Sequence, residues 1–263
     1  EPAPADRKSP ADSSISFDNV TFTYDGAARP ALMNVRFHLP QGAAYALVGP
    51  SGGGKSTIAR LIPRFFDVQE GAVLVGGQDV RSIPAAELME QISFVFQEVH
   101  LFKKSIRDNI RAARPNATEE EILQAAQLAQ CGDILEKIPG GLDAVIGAKG
   151  VYLSGGEMQR IALARAILKD APIVVLDEAS SFADPENEVK IQKAFEVLMK
   201  GKTVLMIAHR LSTVRRMDRI LVIKKGVVVE EGKHDELIEK GGVYASMWEE
   251  YQSAAQWKVG GEE

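Results

Sequence analysis

Apolar and polar positions change period several times along this chain, and each change marks an element. Ile15-Ser16-Phe17 and Val20-Thr21-Phe22-Thr23-Tyr24 alternate, but the apolar phase slips between them. The slip predicts a strand with a bulge or turn at Asp18-Asn19, broken by Asp25-Gly26. Val35, Phe37 and Leu39 alternate again up to Pro40, and Ala72-Val73-Leu74-Val75 runs into Gly76-Gly77 as a hairpin arm. Together these predict a small antiparallel sheet. Other strands are written as unbroken apolar runs. Tyr45 to Val48 reads as a buried strand, and Ile92 to Phe96 as another. Ile173 to Leu176 and Val204 to Ile207 have the composition of parallel strands buried on both faces.

From about Leu101 to Leu168 the period becomes helical. Thr118 with Glu121, and Ser154 with Glu157, are two capping-box signals. Pro84 and Asp184-Pro185 suit helix starts. Ile220 to Ile223 and Val227 to Glu231 form a late hairpin around Gly226, and two amphipathic helices close the chain. The predicted fold class is α/β: a phosphate-loop core with a mixed sheet, a small antiparallel β subdomain, and a helical subdomain inserted at about 101–168. Residues 1–14 read as a flexible linker or arm, 15–258 as one domain, and 259–263 as a frayed tail.

Composition changes this picture little. Of 263 residues, 45% are hydrophobic and 25% charged, an ordinary globular balance. A net charge of −5 makes nucleic acid a poor partner. Cys131 is the single cysteine, so no intrachain disulfide forms, which suits a reducing compartment. No apolar run is long enough to span a membrane. The chain begins with Glu1 and lacks a signal-peptide core, so the expectation is a processed or excised piece.

The chemistry is concentrated in Gly49-Pro50-Ser51-Gly52-Gly53-Gly54-Lys55-Ser56-Thr57, which fits the phosphate-loop pattern between a predicted strand and a predicted helix. Glycines let backbone N–H groups turn toward phosphate oxygens, and the helix points its positive end at the same anion. Lys55 can reach the β- and γ-phosphates, and the Ser56 hydroxyl can bind Mg²⁺. Asp177-Glu178 ends an apolar strand. After a phosphate loop, Asp177 can hold Mg²⁺ and Glu178 can orient or deprotonate a water. His209 follows the strand Val204 to Ala208, where it can bond the γ-phosphate or serve structure alone. Tyr24 stacks on adenine or packs; its position leaves both open. Leu153-Ser154-Gly155-Gly156-Glu157 places two glycines behind a serine cap, an anion site without a lysine. About a hundred residues separate it from the phosphate loop, so it suits another chain's nucleotide.

In these motifs the chain resembles the nucleotide-binding domain of ATP-binding-cassette transporters from about Ile15 to Trp248. Tyr24, Gly49 to Thr57, Gln97, Leu153 to Glu157, Asp177-Glu178 and His209 carry the resemblance in order. It implies a head-to-tail dimer with two ATP molecules, each between one phosphate loop and the other subunit's Ser154-Gly155-Gly156-Glu157. Gln97 would touch metal or water and report to the membrane partner, and Asp184 would lie in the loop crossing between subunits. The runs Phe94 to Phe102 and Ile207 to Ser212 resemble the exporter-fold type. Phe182 to Glu188, with Ala183 where leucine is expected, resembles the siderophore-linked half-transporters. Ala148 stands where exporters usually carry glutamate. The implied setting is the cytoplasmic side of a bacterial inner membrane, with ATP and Mg²⁺ as cofactors. The implied partners are a transmembrane domain and a second nucleotide-binding domain. Two other classes compete: a soluble cassette acting on nucleic acid or ribosomes, and a regulatory module without turnover. Paired cassettes, large insertions or a basic surface would mark the first; loss of Glu178 or His209 would mark the second.

Overall fold

The computed structural model describes residues 2–147, 151–177 and 185–259, which fall into two compact units. One unit holds Glu1–Met89 and Thr203–Glu263; the other holds Glu90–Lys202.

The first unit opens with the alternating segments. β1 (Ile15–Phe22) pairs antiparallel with β2 (Leu32–Leu39), placing Phe17 opposite Phe37 with stacked rings 4.7 Å apart. The register shifts between Phe17 and Val20, and Asn19 has φ 49°, so the phase slip in the sequence is a bulge. β3 (Ala44–Val48) leads through the glycine loop into α1 (Lys55–Leu61). β4 (Glu70–Val75) pairs antiparallel with both β1 and β5 (Gln78–Asp79), completing the four-stranded sheet β2-β1-β4-β5. α2 (Ala85–Gln91) follows Pro84.

The second unit begins with β6 (Ile92–Val95). Four helices follow: α3 (Ile106–Arg111), α4 (Glu119–Leu128), α5 (Gly132–Lys137) and α6 (Gly155–Lys169). β7 (Ile173–Asp177) pairs parallel with β6, and α7 (Pro185–Met199) packs on α6. Thr118 and Ser154 both form complete capping boxes with the glutamate three residues on. Cys131 is fully buried, and burial pushes its thiol up to about 12. It is a packed, unreactive thiol.

The chain then returns to the first unit. β8 (Thr203–Ile207) lies parallel to β3, and β9 (Arg219–Lys224) flanks β3 on its other side, also parallel. α8 (Leu211–Val214) lies between them in sequence. β10 (Val227–Gly232) turns back antiparallel on β9. β3, β8 and β9 are almost wholly buried, as unbroken apolar runs require. α9 (His234–Lys240) and α10 (Val243–Val259) end the description, with Glu230 accepting from the Val243 and Tyr244 N–H groups that open α10.

The amino-terminal arm is fastened to this unit. Lys8 N–H donates to Ser82, Ala11 N–H to Gly76, and Gly76 N–H to Ser14. Buried Ser13 shares a 2.9 Å hydrogen bond with Thr203 at the start of β8. Among the described residues no helix is long and apolar enough to cross a membrane.

Candidate functional site

The glycine loop is shaped by its neighbours. Gly49 has φ 139°, and a Cβ there would lie 2.0 Å from the Ile223 carbonyl oxygen. Only glycine lets the chain turn that close to β9. Gly53 N–H donates to Pro50 C=O, and Gly226 N–H at the β9–β10 turn donates to Gly53 C=O at 2.8 Å. The loop's shape is therefore held from outside. Lys55 is 8% exposed, and its Nζ donates to the Gly49 and Pro50 carbonyls at 2.7 and 2.8 Å. The ammonium is thus held in the loop it serves. Ser51, Gly52 and Ser56 are exposed, while Thr57 is buried and bonds Tyr24. α1 starts at Gly54, and no side chain caps it.

Tyr24 lies two residues past the end of β1, half-buried, with its hydroxyl 3.0 Å from Thr57 Oγ1. The alternation predicted a strand through Tyr24; it stops at Phe22 because the Gln69 side chain takes both Thr23 backbone groups. His209 is exposed two residues past β8, which starts the return to this unit.

The second unit carries the remaining candidates. Gln97 is exposed two residues past β6, and Asp177 ends β7 half-buried. Ser56, Gln97 and Asp177 offer a hydroxyl, an amide and a carboxylate, the hard oxygen donors that suit Mg²⁺. Among the described residues there is no cluster of three or more His, Cys, Asp or Glu fit for a metal. Glu178 and Asp184 lie outside the described residues, as do Ala148 and Ala183.

α6 begins in a closed polar ring. The Ser154 hydroxyl accepts from Glu157 N–H at 3.2 Å, and the Glu157 carboxylate accepts from Ser154 N–H at 2.7 Å. Lys137 donates to the same carboxylate at 3.0 Å. Burial works to raise the Glu157 pKa, but the Ser154 N–H and the Lys137 ammonium hold it below its ordinary value. Ser154 and Gly155 are exposed, and a Cβ on Gly156 would crowd Asn187 at 3.0 Å.

The profile of the family described as ABC transporter matches residues 32–181, more than half of the chain. The chain belongs to the ABC transporter family.

Within that family it is a nucleotide-binding domain of exporter type. It is 50% identical over 234 residues to the ATP-dependent lipid A-core flippase of Escherichia coli K12, covering 89% of this chain and 40% of that protein. The flippase of the same description from Shigella flexneri matches to the same extent. The chain thus spans about two fifths of the length of these ABC relatives. A solved bacterial Atm1-family ABC exporter with ATP bound superposes with a TM-score of 0.86 at 39% identity, over 95% of this chain and 44% of that one.

Two features of this ABC domain escape a reading by motif. Arg160 is 1% exposed and donates to Asp133 at 2.6 Å, to Asn187 at 2.7 Å and to the Gln130 carbonyl. It ties the approach to α5 and the start of α7 to the helix that opens at Ser154. Burial opposes ionisation of Asp133, but Arg160 and Lys190 hold its pKa at about 2. The only signal in the sequence is an arginine on the helical face that also carries Gly156 and Leu163. Gln69, the second, carries no motif signal at all.

Proposed function

We propose that this chain hydrolyses ATP and drives a bacterial transporter of exporter-type fold through ATP-dependent head-to-tail dimerisation. One observation carries the reading: a backbone cradle too tight for any Cβ at Gly49 holds the Lys55 ammonium on its own carbonyls. The close approach of Gly49 to β9 shapes this cradle, and the cation fixed in it matches a polyphosphate.

In this reading Tyr24 stacks on adenine, while residues Gly49 to Thr57 bind the phosphates. Ser56 in the first unit, and Gln97 and Asp177 in the second, would be the residues that hold Mg²⁺, which would supply positive charge against the phosphates. Glu178 orients or deprotonates the attacking water, and His209 hydrogen-bonds the γ-phosphate. Ser154, Gly155, Gly156 and Glu157 face the ATP of a second nucleotide-binding domain, and Asp184 lies in the crossing loop. Residues 15–258 form this domain, with a helical insertion at about 101–168. A transmembrane domain is the other partner, which puts the chain on the cytoplasmic side of the bacterial inner membrane.

The relatives' names favour a lipid A-core-like glycolipid as the transported molecule over a siderophore. The test uses the intact transporter in lipid vesicles. Its phosphate release should rise with added lipid A-core and stay level with a ferric siderophore. The reverse pattern would overturn the substrate, and no phosphate release under either condition would overturn the ATPase reading.

A further inference from the structure

A ring that stacks on a base must present one face, yet a tyrosine just past a strand end is free to turn about two side-chain torsions. Tyr24 is braced against both. Its hydroxyl is 3.0 Å from Thr57 Oγ1. Its ring meets Phe22 at 4.8 Å and 84°, and Phe66 at 5.2 Å and 87°, both edge-to-face. The backbone is braced too. Thr23 N–H donates to Gln69 Oε1 at 2.8 Å, and Gln69 Nε2 donates to Thr23 C=O at 2.9 Å. An exposed side chain thus replaces a strand partner at the residue before Tyr24. The segment supplying these braces is itself fixed, since Arg64, at φ 58°, donates to Asp67 at 2.7 Å and to the Arg81 carbonyl at 3.3 Å.

We infer that Phe66 and Gln69 are positioning residues that hold the Tyr24 ring in the orientation that stacks on a purine base. The inference rests on the nucleotide reading above. Neither residue is buried: Phe66 is 39% exposed, with its ring also 5.6 Å from buried Phe22, and Gln69 is exposed. Both act through Tyr24, so their effect should follow the base and not the phosphates.

Calorimetric titration of the whole chain with Mg-ATP and with inorganic tripolyphosphate separates the two. Phe66→Leu and Gln69→Ala should each weaken ATP binding by about threefold to tenfold, a fraction of a full stacking contribution, and leave tripolyphosphate affinity unchanged. In a Tyr24→Ala background neither should cause further loss, because residues acting through one group are non-additive. Phe66→Trp, which keeps an aromatic edge, should bind ATP like the wild type. Unchanged ATP affinity in Phe66→Leu and Gln69→Ala would overturn the inference, as would equal loss for both ligands or full additivity with Tyr24→Ala. In those cases the wild type still binds ATP and the nucleotide reading stands. A wild type that binds neither ligand would remove both.

Discussion

The starts of α1 and α6 are both glycine-rich, and both lie in stretches that read as anion sites, but they are finished in opposite ways. α1 has Gly54 at its cap with no side-chain bond, and Lys55 sits beside it as a held cation. α6 has a serine and a glutamate that close on each other, and a lysine that neutralises the glutamate. A helix start has four N–H groups without helical partners. α1 closes none of them with a cap side chain. In α6 the Ser154 hydroxyl takes the Glu157 N–H, beside exposed Gly155 and buried Gly156. In the function proposed above, the first is the complete anion site and the second a partial one. A partial site suits the rim of a pocket built on another chain, which is the role proposed for it here.

The largest effect should come from removing what only the first start has. Lys55→Ala should lower ATP turnover by at least about 100-fold, the scale for losing one preorganised partner of transition-state charge. Phosphate release measures it, and near-normal turnover would erase the distinction between the two starts. The cap and anion roles of Ser154 can then be separated. Ser154→Ala should destabilise the chain by about 1 kcal/mol in urea unfolding, the usual loss for a helix cap. Ser154→Asp keeps a good cap and should keep stability, yet it sets a negative charge against phosphate and should still lose turnover. Equal turnover in Ser154→Asp and wild type would leave Ser154 a cap alone.

The smallest effect concerns the acids around α6. Asp133 and Glu157 have folded pKa values below their ordinary values of 3.8 and 4.5. Each therefore adds stability that is fully present above those values and is lost as pH falls through the folded one. For Asp133 the loss runs from 3.8 down to about 2. Thermal melts of wild type should fall across that acid range, and Asp133→Asn should flatten the fall. A wild-type profile no steeper than that of Asp133→Asn would contradict the ion-pair account.

Much of the fold was legible because it is written locally. The glycine loop, the two capping boxes and the bulge at Asp18-Asn19 each lie within a few residues of sequence. What was not legible depends on distant partners. Thr23 is held by Gln69 across 46 residues, Tyr24 by Thr57 across 33, and Ser13 by Thr203 across 190. Such pairs carry no periodicity, so the strand through Tyr24 read two residues too long and the Ser13–Thr203 bond left no signal. Arg160 was missed for the same reason: its partners lie 27 residues away on either side, in other helices.

The central claim is that the complete site and the partial site belong to different chains when they work. Lys55→Ala chains and Ser154→Arg chains, mixed and shown to form mixed dimers, test it directly by ATP turnover. Each parent is dead in both sites, whereas a mixed dimer keeps one intact phosphate loop facing one intact Ser154. The account predicts turnover in the mixture that neither parent shows. A mixture as inactive as its parents, with mixed dimers present, would contradict it.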